Sequence, residues 1–282
     1  GPLITVMSQV RVLPGPPFFA RVPTNPEDIR LEFLPADINA TAAAMLIAAT
    51  VIGAAISGAM GVGGGIILIA VMANFMPAPA VVPVHGVVQL GSNVFRGTIQ
   101  RAHIDWRTFI WFLLGSIVGV AVGGSIVVAL PADILRAGLG LFILYTVWAP
   151  KMRFSSQSRL AAVVVGVASS ILTMFFGATG PFVSALLSRR GYTPQRLIGT
   201  HSAFMGAQHL LKIIVFGFLG FAFADWVWMI VLMLLASLVG TLIGSFALGH
   251  MSAGTFAKIL KGILTLLAVN LLAIAFGFYS IT

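Results

Sequence analysis

The chain has 282 residues, of which 59% are hydrophobic and 8% are charged, and its net charge is +9 at pH 7. A soluble domain carries about a quarter charged residues and cannot bury this much apolar side chain, so the composition excludes a soluble globular fold. The basic residues stand mostly in short gaps between apolar runs, which is typical of membrane topology signals rather than of nucleic-acid binding. The absence of cysteine excludes disulfides and thiolate metal ligands.

The N-terminal 1–40 segment is proline-rich and is predicted to be an extramembranous extension, with a short interfacial helix near 29–34. The rest of the chain predicts an all-α polytopic membrane protein, because apolar runs long enough for membrane helices follow one another with short breaks. These eight runs are placed at 41–74, 79–99, 106–129, 132–149, 159–187, 194–222, 226–248 and 254–279.

The order of motifs in 41–150 recurs in 151–282 at a nearly constant shift, which predicts two homologous transmembrane repeats. Gly61-Val62-Gly63-Gly64-Gly65 aligns with Gly177-Ala178-Thr179-Gly180-Pro181, His85 with His201, Asn93 with His209, Arg96 with Lys212, and Asp105-Trp106 with Asp225-Trp226.

The positions of lysine and arginine indicate how the repeats face. If runs 41–74 and 159–187 are hairpins that enter and leave on one side, nearly every basic loop lies on the cytoplasmic side. Each hairpin has a glycine-rich break, and neither hairpin is long enough to cross the membrane twice. The two repeats would then be inverted relative to each other, a recurring architecture of transporters.

The two glycine-rich breaks are the first candidate binding elements. A break in a membrane helix is tolerated only where it faces protein or a watery cavity, and the helix that follows presents free N–H groups there, which suits an anion. The alternative is that these glycines only allow close helix packing. The candidate residues are Gly63, Gly64, Gly65, Gly177, Thr179, Gly180 and Pro181.

Polar residues at helical spacing are the second candidate. They form one stripe in run 79–99 and another in run 194–222, and polar groups inside a span usually face a cavity or a partner. Arg96 is expected near the inner end of its run as a headgroup anchor, whereas Lys212 lies deeper. The candidate ligands are His85, Gln89, Asn93, His201, Gln208, His209 and Lys212.

The chain has seven acidic residues, and none lies inside a predicted span. Cation transporters usually need intramembrane carboxylates, so the pattern favours an anionic substrate. The intramembrane histidines leave a metal-binding protein as an alternative, although no carboxylate or thiolate would help them hold an ion. No Ser-His-Asp arrangement is visible, so no enzyme and no cofactor is predicted.

Residues 41–279 resemble the sulfite exporter TauE/SafE family of permeases, on the glycine motifs Gly58–Gly65 and Gly177–Pro181 and the duplicated order of polar residues. The resemblance implies a multi-pass transporter of the inner (plasma) membrane that exports a small inorganic or organosulfur anion, with the glycine breaks as functional motifs. An anion channel is the alternative. Transport direction, proton coupling and oligomeric state stay open, with His85 and His201 as the groups able to titrate.

Overall fold

The computed structural model describes residues 34–35, 37–60, 63–127, 131–149, 158–187, 190–247 and 253–278. This part of the chain contains no β-strand, and the all-α class predicted from the sequence is confirmed for it. The interfacial helix expected near 29–34 falls outside the described residues, apart from Leu34. The helices are α1 (Ala40–Met60), α2 (Gly64–Phe75), α3 (Ala78–Ile99), α4 (Trp106–Val127), α5 (Ala132–Trp148), α6 (Arg159–Phe176), α7 (Gly180–Leu187), α8 (Pro194–Phe218), α9 (Val227–Ala247) and α10 (Ala253–Ala275).

Six of the predicted runs coincide with single helices, and runs 41–74 and 159–187 are each broken into two at their glycine motif. Gly63 has a φ of 107° just before α2, and Gly177 has a φ of 68° at the end of α6. Residues with a side chain rarely adopt such angles, so glycine permits the chain to leave the helix at both points. The predicted helix breaks are therefore present.

The two arms of each broken run differ in length. The first arms, α1 and α6, have 21 and 18 residues, whereas the second arms, α2 and α7, have 12 and 8. At 1.5 Å per residue the second arms rise about 18 and 12 Å, short of the roughly 30 Å hydrocarbon core. Each break therefore lies a few residues past the middle of its run, and the second arm is too short to cross the membrane alone.

The helices associate in a paired pattern. α4 packs along α6, α1 packs along α9, α3 packs against α8, and α5 packs against α10. Glycines make the first two contacts close: a Cβ on Gly119 would lie 2.4 Å from the carbonyl oxygen of Val167, and one on Gly240 would lie 2.2 Å from that of Val51. Glycines on α4 and α9 therefore allow close helix packing, as the alternative interpretation proposed for the glycines of the broken helices.

Apolar side chains cover the outer surface of the bundle, while polar ones are buried. Four helical stretches are long and apolar enough to cross a membrane: Ala40–Ala59, Trp106–Val127, Arg159–Phe176 and Phe223–Gly244. Large side chains such as Ile117 on α4 and Leu235 on α9 are about half exposed. A surface of apolar side chains around buried polar ones is stable in lipid, whereas water would disfavour it. The described part of the chain is thus built as a polytopic membrane protein.

Candidate functional site

The site lies where α3 and α8 cross the middle of the bundle. A Cβ on Gly86 would lie 2.8 Å from Cε of Lys212, and a Cβ on Gly97 would lie 3.8 Å from Cβ of Ser202. Early residues of α3 therefore contact late residues of α8, so the two helices are antiparallel. Their polar stripes face each other, flanked by the two helix breaks.

A cavity of about 30 Å³ occupies this polar region. A space of this size holds roughly one water molecule. Residues of α1, α2, α3, α7 and α8 contribute to its wall, so both halves of the chain meet there. The lining residues are Ser57, Gly63, Gly65, Ile66, Gln89, Asn93, Arg96, Ala178, Gly180, Pro181, His201, Met205 and His209.

The structure divides the residues predicted as ligands into two groups. Eight of them line the cavity: Gly63, Gly65, Gln89, Asn93, Gly180, Pro181, His201 and His209. The other six lie behind this wall: Gly64, His85, Gly177, Thr179, Gln208 and Lys212. The residues that line the cavity are thus distinct from those that pack behind them, although the sequence pattern predicted all of them as ligands.

Each helix break is tied to a histidine in the same way. Nε2 of His85 lies 3.0 Å from the carbonyl oxygen of Gly65, and Nε2 of His201 lies 3.3 Å from that of Gly180. A carbonyl can only accept a hydrogen bond, so Nε2 carries the proton in both rings. Within the described ranges Nδ1 has no hydrogen-bond partner in either ring, and both nitrogens of His209 are also buried without one.

Gln208 and Thr179 hold the second break against α6. The Gln208 amide nitrogen donates to the hydroxyl oxygens of Ser169 and Ser170, both at 2.7 Å. Thr179 donates its hydroxyl to the Gln208 amide oxygen at 3.3 Å. Because both ends of this amide are engaged inside the protein, Gln208 is placed to support the break rather than to face the cavity.

Several backbone N–H groups at the breaks also have partners within the protein. The Gly64 N–H donates to the Ser57 hydroxyl at 3.1 Å, and the Phe182 N–H donates to the Thr179 carbonyl at 3.0 Å. Pro181 has no N–H to offer. The helix starts therefore present fewer free donors than the sequence suggested, and side chains carry more of the site.

Two basic residues are buried here with no carboxylate. Arg96 is 6% exposed and Lys212 is 0% exposed. Arg96 donates from Nη2 to the Asn93 amide oxygen at 2.9 Å, while its Nε and Nη1 have no partner. Lys212 donates to the Gly177 carbonyl at 3.4 Å. Among the described residues neither cation has an ion-pair partner, an arrangement that favours a bound anion.

Arg96 corrects one expectation from the sequence. It is not a headgroup anchor: it lines the cavity, whereas Lys212 lies behind the wall against Gly86. The helical position of Arg96, one turn after Asn93 in the polar stripe, could have indicated its orientation. Ser57 and Met205 also line the cavity, and no sequence pattern singled them out; Ala178 lines it too and lies within the second glycine motif.

A polar cluster joins the α3–α4 and α7–α8 connections, and we call it the latch. Asp105 accepts hydrogen bonds at Oδ2 from the hydroxyls of Tyr192 and Thr108, and its N–H donates to the Thr200 hydroxyl at 2.9 Å. Arg190 donates to the Thr108 hydroxyl at 2.9 Å. Through Thr200 the latch contacts the residue before His201, so it joins the two connections at the end of the α3–α8 pair where Arg96, Arg101, Arg190 and Arg196 lie.

The latch favours an ionised Asp105. Burial alone would raise the pKa of this carboxyl, but the hydrogen bonds from Tyr192 and Thr108 outweigh burial, and the pKa lies below its ordinary value. Burial, together with the hydrogen bond to Asp105, raises the pKa of the Tyr192 phenol. Tyr192 therefore stays a donor and Asp105 an acceptor at neutral pH.

The opposite end of the pair has an open apolar vestibule of about 290 Å³. The first residues of α3 and α5 and the last residues of α4, α6 and α8 form it. Pro83, Met174 and Phe216 line it about one helical turn from the Gly86–Lys212 contact. Asp225, which aligns with the latch residue Asp105, is exposed near this end.

No three histidine, cysteine or acidic side chains are grouped to share a metal ion within the described ranges. The rings of His85 and His209 meet edge to face with centroids 5.8 Å apart, while His201 stands at the other break. The two buried basic residues beside these three imidazoles would repel a metal ion, so the group suits an anion better than a metal.

Comparison with known proteins identifies the family. Residues 45–271 match the family described as Sulfite exporter TauE/SafE, which covers most of the chain. No curated protein and no solved structure matches the chain. Because the match spans the broken helices, the polar α3–α8 pair and the latch, this chain belongs to the TauE/SafE family of membrane permeases.

Proposed function

We propose that this protein exports small sulfur-containing oxyanions, such as sulfite or organosulfonates, across the plasma membrane by alternating access. The observation that carries the proposal is the pair of buried cations, Arg96 and Lys212, beside which no carboxylate lies in the part of the chain that the structure describes. An uncompensated buried charge costs several kcal/mol, so the site is favourable only when an anion completes it. The family match supports the sulfur class of anion.

The anion is held by side chains from both halves of the chain. Arg96 offers two unpaired donor nitrogens, and Gln89, Asn93, His201 and His209 surround it in the cavity wall. Because the present cavity of about 30 Å³ holds roughly one water molecule, an oxyanion enters only when the wall moves outward. The described conformation is therefore a contracted form of the site.

The two halves are inverted repeats in this proposal. Three features support it: both breaks use a glycine of positive φ, each break has a glycine carbonyl that accepts from a histidine Nε2, and the α4–α6 pairing mirrors the α9–α1 pairing. Rocking one repeat against the other would expose the shared site to each side in turn.

The two ends of the α3–α8 pair support this alternation. The latch closes the basic end, whereas the opposite end has the 290 Å³ vestibule. If basic loops are cytoplasmic, the structure is closed toward the cytoplasm and wide toward the outside. Breaking the latch would be the step that opens the cytoplasmic side.

Release of sulfite from proteoliposomes, with and without an imposed potential, tests the proposal. Protein-dependent release that saturates and shows counter-exchange supports a carrier. Single-channel currents would indicate an anion channel instead. The absence of release of sulfite, thiosulfate and sulfoacetate under every gradient would refute transport of sulfur anions. An interior-negative potential favours the exit of an uncoupled monoanion by about 2.3 kcal/mol per 100 mV.

A further inference from the structure

His201 is held in one tautomer inside the cavity wall. Its Nε2 donates to the Gly180 carbonyl at 3.3 Å, which requires the proton on that nitrogen. Its Nδ1 is buried and has no hydrogen-bond partner among the residues that the structure describes. In the neutral ring this nitrogen is a bare acceptor and would repel an anion, whereas an added proton converts it into a donor. Because the Gly180 carbonyl holds the first proton on Nε2, a second proton changes Nδ1 of His201 from an acceptor into a donor.

The charges around His201 link that proton to the anion. Arg96 on α3 and His209 on α8 line the same cavity, and α7 contributes the Gly180 carbonyl and the apolar ring of Pro181. Lys212 adds a second buried cation farther along α8. A proton on Nδ1 of the empty site would place a further positive charge beside Arg96, with no carboxylate to balance it. A bound anion supplies the missing balance.

We propose that the protein carries one proton with each anion, bound at Nδ1 of His201, so that transport is proton-coupled. This inference rests on the proposed function, because it adds a second substrate to the same site. The step balances in charge: a proton from water adds to the Nδ1 lone pair, and it leaves to water when the anion leaves. Anion and proton thus bind with mutual enhancement, as reciprocal coupling requires.

The coupling changes what drives transport. A monoanion and a proton together carry no net charge, so the membrane potential does not act on them, whereas a dianion keeps one negative charge. A pH difference drives the pair toward the more alkaline side. Net export then requires an anion gradient that exceeds the opposing pH gradient.

The experiment uses proteoliposomes with the potential clamped and a trapped pH dye. Thiosulfate and methanesulfonate are the probes, because neither titrates between about pH 5 and pH 8 and any proton must travel on the protein. Equal proton and anion fluxes in the same direction support the proposal. Anion flux without proton flux overturns it and leaves the proposed function intact. The absence of any anion flux overturns the proposed function as well.

The variant His201→Gln identifies the proton site, because its amide nitrogen can still donate to the Gly180 carbonyl but cannot titrate. In this variant the ratio of protons to anions should fall to zero at whatever rate remains. His103→Gln, an exposed histidine of the 101–103 turn, is the matched control and should keep the wild-type ratio. If sulfite is the transported probe, persistence of the pH effect in His201→Gln would show that the proton travels on the anion and refute the assignment.

Binding measurements cover the case in which the variant does not transport. Calorimetry of wild-type protein in buffers of different ionisation enthalpy reports the protons taken up with thiosulfate. Uptake of one proton, with affinity falling about tenfold per pH unit on the alkaline side, supports the coupling. Binding of thiosulfate without proton uptake refutes it.

Discussion

Tyr192 donates its phenolic hydrogen bond to Oδ2 of Asp105 and so joins two connections that lie far apart in the sequence. The contact ties the start of α4 to the start of α8, and the backbone N–H of the same Asp105 donates to the Thr200 hydroxyl. Thr200 immediately precedes the cavity-lining His201. Polar contacts therefore join the two connections beside the apolar cluster on which the Tyr192 ring packs, and such contacts can be exchanged for water at modest cost.

Tyr192→Phe should open the basic end more often, because it removes the phenolic donor and keeps the ring. The chain has no native cysteine, so Ser202→Cys, at a site 1% exposed, can report access to a membrane-impermeant maleimide. We expect labelling several-fold faster in the Tyr192→Phe background than without it. Tyr145→Phe, on the outer face of α5, is the control and should not change the rate. Equal rates in all backgrounds would show that the latch is not a gate.

The latch should persist throughout the neutral range of pH. Because the pKa of Asp105 is lowered in the folded protein, its contribution to stability is present above its unfolded pKa of about 4 and is lost as the pH falls through the lowered value. Maleimide labelling of Ser202→Cys should thus be flat between about pH 5 and pH 8. A rise in labelling within that window would assign the pH dependence of transport to the latch instead of to His201.

Arg96→Gln should weaken anion binding, because it removes the buried charge that lines the cavity. A hydrogen bond to a charged group contributes about 1.5–3 kcal/mol, which corresponds to a KM raised roughly 10- to 100-fold. Arg101→Gln is the matched control, since this arginine is exposed at the same end of the α3–α8 pair. Uptake kinetics in proteoliposomes measure both, and similar KM values would place the anion elsewhere.

Lys212→Met should have opposite effects on stability and on transport. Lys212 is fully buried with a carbonyl as its hydrogen-bond acceptor, and methionine fills similar space without charge. Removal of an uncompensated buried charge should stabilise the folded state, because the desolvation penalty of a buried ion is several kcal/mol. Thermal unfolding in detergent should show a higher Tm while anion flux falls. A lower Tm would indicate that an unseen partner compensates the lysine.

Gly177→Ala tests the second helix break. The glycine has a φ of 68°, and an added Cβ would lie 2.0 Å from Cδ1 of Ile69. Left-handed backbone costs about 1–2 kcal/mol for alanine, and forced overpacking costs about 1–3 kcal/mol more. Gly191→Ala isolates the first cost, because its φ is 64° and nothing lies within 4 Å. Chemical denaturation should rank Gly177→Ala as the less stable variant; equal losses would mean that Ile69 moves aside freely.

The amino-acid sequence by itself determined the membrane class, the helix positions and the two breaks. Lipid requires each spanning segment to satisfy its own backbone hydrogen bonds, so the length of an apolar run predicts a helix and a glycine motif predicts a break in it. It also placed the polar stripes on α3 and α8, because helical periodicity is a local property. The inverted relation of the two halves stays a prediction, supported by the shared geometry of the breaks.

Only the tertiary structure decided which polar side chains share the cavity. Arg96 and Lys212 align in the two halves, yet Arg96 lines the wall and Lys212 lies behind it. The difference depends on how α3 and α8 cross and where the glycines let other helices approach, which are contacts between residues distant in the chain. For the same reason the latch could not be predicted, since the bond between Asp105 and Tyr192 forms only when two remote connections meet.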